Sequence, residues 1–231
     1  MLPILSEGNP FPDLKRALRT PNGLLAAGGE LSPARLLDAY RNGIFPWFNP
    51  DEPVLWWSPD PRMVLIPAEF HISASLRKRL RKKDYRIRID TCFEEVMRAC
   101  AAPRAGHQGT WISEDMISAY CALHIQGYAH SIELWRRDEL VGGLYGISLG
   151  RMFYGESMFS RISNASKIVM AHLACQLERW QFGMIDCQMY TPHLDGLGAR
   201  EMPRSEFIAK LQELVNYAPV INWQFDGDLL P

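Results

Sequence analysis

Residues 130–159 read HSIELWRRDELVGGLYGISLGRMFYGESMF. Three extended segments rich in aromatic and β-branched residues are separated by RRDE and LGR, the pattern of an antiparallel meander. Near the end of the third, Glu156 places a bare carboxylate between strand-forming aromatics and the start of a helix. Downstream, Asn164 stands as N-cap of a long helix, NASKIVMAHLACQLERWQFG, ended by Gly183 and followed by the short apolar strand MIDCQM and a final helix over about 204–217. Upstream, RMVLI and YRIRID read as strands around a short basic helix, roughly 73–83, and FEEVMRACA as another helix. Ser113, followed by Glu114 and Asp115, caps a helix that runs to Gly127, with the acids at the positive end of its dipole. Such an order is an α+β layout, a sheet backed by helices.

The first sixty or so residues differ in texture. They are rich in Pro, Gly and Trp and hold one clear helix, opened by Ser32 as N-cap with Pro33 at its first position and stopped at Gly43. The reading is a small N-terminal domain over residues 1–62, followed by a larger one over 63–231.

With 231 residues, 47% of them apolar, the chain can bury a sizeable core. No apolar run is long enough to cross a bilayer, and the start MLPILSEGNPFPDLKR lacks a basic leader and long apolar middle, so a cytoplasmic location without membrane contact is expected. Five cysteines without CxxC spacing argue against a disulfide framework and a zinc cage, and six histidines without HExxH or HxH argue against a metal site. A net charge of -1 excludes a strongly basic nucleic-acid coat, while a local basic patch could still hold RNA.

Candidate chemistry gathers around the strand MIDCQM. Asp186 and Gln188 interrupt it at i, i+2 spacing, which turns both side chains to one face and Cys187 to the other. A hydrogen-bonded carboxylate tying the sheet to a loop is one reading of Asp186; the other joins it to Glu156. The long helix lies between their strands, so a crossover could make those strands parallel neighbours and bring two carboxylates and an amide together, a set suited to capturing an amine. Cys187 is expected to be a core thiol. HLDGLGA, from residue 193, reads as a turn. In SASLRKRLRKK, Lys78, Arg81 and Lys82 share one helical face, either as a solvated surface or as a contact to a phosphate backbone. Trp47 and Trp111 sit in turn-like contexts where an indole could stack on an unpaired base or serve the core.

Six motifs in this order, PNGLLAAGGELSPARLLDAYRNGIFPWF, LWWSPDPR, GTWIS, HSIELWRRDELVGGLYG, GESMFSRISNASK and IDCQ, closely resemble the leucyl/phenylalanyl-tRNA-protein transferases of the bacterial N-degron pathway. The resemblance spans nearly the whole chain. It implies a small N-terminal domain joined to a C-terminal domain of the acetyltransferase-like (GNAT) fold, with a mixed, mainly antiparallel sheet. It also implies transfer of Leu or Phe, and less efficiently Met, from aminoacyl-tRNA to an N-terminal Arg or Lys of a protein, marking that protein for degradation. By position, Asp186 and Gln188 match the family's catalytic pair and Glu156 the carboxylate for substrate amino groups. Trp47 and Trp111 match aromatics that bracket the terminal adenosine, Leu144, Phe153, Met158 and Ile185 the side-chain pocket, and Lys78, Arg81 and Lys82 a tRNA-contacting helix. An aminoacyl ester is already activated, so no cofactor is expected. In that setting Asp186 would supply negative charge, directly or by polarising Gln188, and Gln188 would align the attacking amine. An acetyl-CoA-dependent N-acetyltransferase and a non-catalytic RNA-binding protein are the rival readings.

Overall fold

A computed structural model describes residues 1–103 and 110–230 of the chain; Gly109, which opens GTWIS, lies outside the described residues. The meander forms as read: β7 (Ala129–Arg136), β8 (Glu139–Leu149) and β9 (Met152–Ser160) pair antiparallel in sequence. Arg137 and Asp138, both with positive φ, make the two-residue turn between β7 and β8, the twist that a tight hairpin requires. At the next turn Gly150 also has positive φ, and a Cβ there would stand 2.3 Å from the Leu214 carbonyl oxygen. Only glycine fits that position.

Four more strands complete a seven-stranded sheet: β5 (Arg62–Leu65), β6 (Arg86–Ile89), β10 (Met184–Gln188) and β11 (Arg200–Met202), in the order β11-β5-β10-β9-β8-β7-β6. Every pair is antiparallel except β9 with β10, joined through the long helix α5 (Ala165–Arg179). A smaller sheet, β1-β2-β4-β3, uses Ile4–Leu5 (β1), Leu24–Gly28 (β2), Phe45–Pro46 (β3) and Leu55–Trp57 (β4). The other helices are α1 (Pro33–Arg41), α2 (Ala74–Leu80), α3 (Phe93–Ala101), α4 (Glu114–Ile125), α6 (Pro192–Asp195) and α7 (Arg204–Leu214). Among the described residues no helix is long and apolar enough to cross a membrane.

Two clusters of buried side chains flank the large sheet. One joins Tyr145 and Tyr154 to α3, α4, α7 and the N-terminal residues Leu36, Tyr40 and Trp56; the other joins Leu144, Phe153 and Ile185 to α2 and α5. Alternation along each strand assigns neighbours to opposite cores. Each fully buried Leu, Ile or Phe stabilises the fold by about 1.5–3 kcal/mol relative to exposure.

Several local expectations change. The basic helix ends at Leu80, with Arg81 as its C-cap and Lys82 beyond it, so Lys78, Arg81 and Lys82 do not share one helical face. The chain must turn there to enter β6: Lys83 takes positive φ, and Arg79 pairs with Asp84 at 2.5 Å across the turn. Asn164 precedes α5 in the left-handed conformation, which Asn tolerates, and its side chain caps nothing; the Ser160 hydroxyl accepts the Ser166 N–H instead. Helices α5 and α7 stop at Arg179 and Leu214, short of the expected Gly183 and residue 217.

Candidate active site

The site grows from the point where β9 and β10 cease to pair. Their register runs from Met184 opposite Met152 to Asp186 opposite Tyr154 and stops, although β9 continues to Ser160. Both strands carry a bulge just there. Against β8, Tyr145 faces Ser157 and Gly146 faces Gly155, which leaves Glu156 as the extra residue. Against β5, Asp186 faces Val64 and Gln188 faces Met63, which leaves Cys187 as the extra residue. Bulges re-aim side chains, and these two open a cavity of about 920 Å³ lined by Glu156, Cys187 and Gln188.

Glu156 is 8% exposed. Its carboxylate accepts the Tyr120 hydroxyl at 3.0 Å and the Gln188 side-chain N–H at 3.0 Å, and the Tyr120 hydroxyl is itself paired with that of Tyr40. Burial raises its pKa to about 7, partly opposed by the two phenols. The carboxylate is therefore poised at neutral pH inside a partly apolar cavity. Leu144, Phe153, Met158 and Ile185 line that cavity too, together with Met170 and Leu173 of α5, and Trp111 stands in its wall.

Asp186 behaves differently. It is fully buried and outside the cavity lining. Arg62 grips both its oxygens, Nε to Oδ1 at 2.8 Å and Nη2 to Oδ2 at 2.7 Å, while Oδ1 also accepts the Gln188 backbone N–H at 2.9 Å. The guanidinium in turn lies over the Phe45 and Phe207 rings, 4.7 and 4.8 Å from their centroids, and donates to the Gly43 carbonyl at 3.1 Å. Asp186 is thus an anchor for the bulge, in which Gln188 takes a φ of 65°.

This corrects the simple alternation: Asp186 and Gln188 do not share an open face, and Cys187, expected in the core, reaches the cavity wall. The bulge supplies the reason, because one extra residue resets the two-residue period. Burial, then the Asp186 charge, push the Cys187 thiol far above its ordinary pKa, so it is a poor nucleophile.

The remaining candidates lie outside the lining. Trp47 is exposed; its ring rests 5.5 Å from that of Trp57, whose indole N–H donates to the Trp47 carbonyl at 2.7 Å. Lys78, Arg81 and Lys82 are exposed at the end of α2. Sequence reasoning overlooked Arg62, Tyr40 and Tyr120. A lone cation in the apolar strand RMVLI is the same kind of signal that singled out Asp186; nothing local marks the two tyrosines.

Comparison with known proteins agrees with the motifs. The profile of the leucyl/phenylalanyl-tRNA protein transferase family matches residues 64–212, and that of its N-terminal domain matches residues 29–60. The leucyl/phenylalanyl-tRNA–protein transferase of Nitrosospira multiformis is 64% identical over 99% of both chains, and that of Nitrosomonas europaea 61% identical over 98% of this chain and 96% of its own. Among solved structures, a GCN5-related N-acetyltransferase-like protein from Streptococcus suis aligns with a TM-score of 0.32 at 11% identity, over 73% of this chain and 64% of that one. On these matches the chain belongs to the leucyl/phenylalanyl-tRNA protein transferase family.

Proposed function

We propose that this chain moves Leu or Phe, and Met less well, from aminoacyl-tRNA to an N-terminal Arg or Lys of acceptor proteins, creating a degradation signal, and that it does so in the notch between β9 and β10. The carrying observation is Glu156: a buried carboxylate held by Tyr120 and Gln188 beside an apolar pocket. An aminoacyl ester presents an amine next to an apolar side chain, and this pairing of charge and grease is its complement. Glu156 takes the amino group, while Leu144, Phe153, Met158 and Ile185 take the side chain. Trp111, and Trp47 from the N-terminal unit of residues 1–62, receive the terminal adenosine; Lys78, Arg81 and Lys82 meet the tRNA backbone. The working location is the cytoplasm.

Gln188 spends its side-chain N–H on Glu156, which leaves its carbonyl oxygen to align the attacking amine. Asp186 does not take the proton; its role is to fix the backbone from which Gln188 projects. A peptide α-amine has a pKa of about 7.7–8, so part of it is neutral near pH 7 and positioning supplies much of the acceleration. Because the ester is preactivated, the residues named here suffice without metal or coenzyme.

Labelled Leu on tRNA, a peptide beginning with Arg, and no added nucleotide or CoA make the test. Label should enter the peptide as an acid-stable amide. No transfer under these conditions, or transfer only with acetyl-CoA as donor, overturns the reading.

A further inference from the structure

Tyr145 is fully buried on β8, in the pair adjoining the Glu156 bulge, and it lines the cavity. Its hydroxyl has no hydrogen-bond partner among the described residues. The ring is held edge-on between Phe93 and Tyr120, with centroids 6.1 and 5.6 Å away, so it is not free to swing out and find one. Tyr120, the neighbouring phenol, is fully engaged with Glu156 and Tyr40. An unmade hydrogen bond on a buried hydroxyl costs about 1–3 kcal/mol, a penalty that phenylalanine would escape in the same space. A hydroxyl kept at that cost, in the wall of a substrate cavity, calls for a partner on the substrate.

Its protonation is secure. Burial, and then the charge of Glu156, push the Tyr145 hydroxyl well above the usual tyrosine range, so it acts as a donor. With the amino group of the aminoacyl ester at Glu156, the ester carbonyl lies two bonds away. Attack by the acceptor amine forms the N–C bond and drives the carbonyl electron pair onto oxygen. Collapse restores the carbonyl and breaks the bond to the ribose oxygen, which leaves with the proton shed by nitrogen. A donor aimed at the carbonyl oxygen gains strength as that charge grows, most of all where water is excluded.

We propose that the Tyr145 hydroxyl donates a hydrogen bond to the carbonyl oxygen of the aminoacyl ester and stabilises the charge that develops there, a role that rests on the placement of the ester at Glu156.

The test is Tyr145→Phe, measured by kcat and KM with labelled Leu-tRNA and an Arg-peptide, together with its thermal unfolding midpoint. The midpoint should hold or rise, KM should stay within about twofold, and kcat should fall on the order of 10²-fold. An unchanged kcat overturns the proposal. So does a drop in midpoint alongside the lost rate, because the hydroxyl would then be serving the fold. Glu156→Gln at normal KM and kcat would instead sink the placement of the ester, so the two failures are told apart.

Discussion

Gln188 and Glu156 face each other across 3.0 Å, amide N–H to carboxylate, on two strands that have just stopped pairing. The bond spans a gap where the sheet itself offers none. Each residue reaches it through a bulge, one on β9 and one on β10, so the site exists because two strands lose register at the same level.

Glu156→Gln is expected to keep the fold and to lower kcat/KM for Leu-tRNA by about 10- to 100-fold, since a charge-assisted bond to the substrate amine is worth about 1.5–3 kcal/mol. Its pH dependence gives a second readout. The folded state holds the Glu156 proton to about pH 7, above the model value of 4.5, so it binds more protons than the unfolded chain between those values. Stability should therefore fall as pH rises from about 4.5 to 7 and then level off, by a few kcal/mol in all. In Glu156→Gln this component should vanish, as chemical denaturation at several pH values would reveal. Transfer by the natural chain should rise through about pH 7 as the carboxylate forms.

Arg62→Met strands the Asp186 carboxylate in the interior and should cost about 3–5 kcal/mol. Pairing it with Asp186→Leu should recover much of that loss, as a double-mutant cycle in urea would measure. Activity should return in part with stability, because Asp186 acts through the bulge. A fully folded double variant with no trace of transfer would argue for a direct chemical role of Asp186.

Leu144→Phe narrows the apolar end of the cavity. Transfer of Phe should drop about tenfold relative to Leu, read as the ratio of the two kcat/KM values, in keeping with the 1–3 kcal/mol that a hydrophobic pocket can discriminate.

Lys78→Ala, Arg81→Ala and Lys82→Ala should each weaken tRNA binding to a similar degree. The slope of log K against log salt should lessen by about 0.7–0.9 per phosphate contact removed. Transfer from a minimal aminoacyl-adenosine should be unaffected, which separates a backbone contact from damage to the cavity.

Much of this molecule was legible from local pattern. RRDE announces a tight turn between strands, Ser32 and Ser113 cap helices with their own hydroxyls, and the helix between Glu156 and Asp186 brings their strands side by side in parallel. These follow from sequence because they rest on interactions a few residues apart or on the short list of ways a crossover can close. The motifs also named most of the cavity wall: Leu144, Phe153, Met158 and Ile185 line it with Trp111 and Glu156.

What sequence could not decide is where the period of two breaks. A bulge is a compromise between neighbouring strands, and its cause lies with the partner. Arg62 stands 124 positions from Asp186, yet it consumes that carboxylate and makes it an anchor. Tyr40 and Tyr120 come from α1 and α4 to hold Glu156 from behind. The chain by itself determined its strands, its helices and the residue types around the notch. Only tertiary packing decided which acid would be neutralised by a buried cation and which would be left facing the cavity, because the energy of a buried charge depends on partners that arrive from distant parts of the fold.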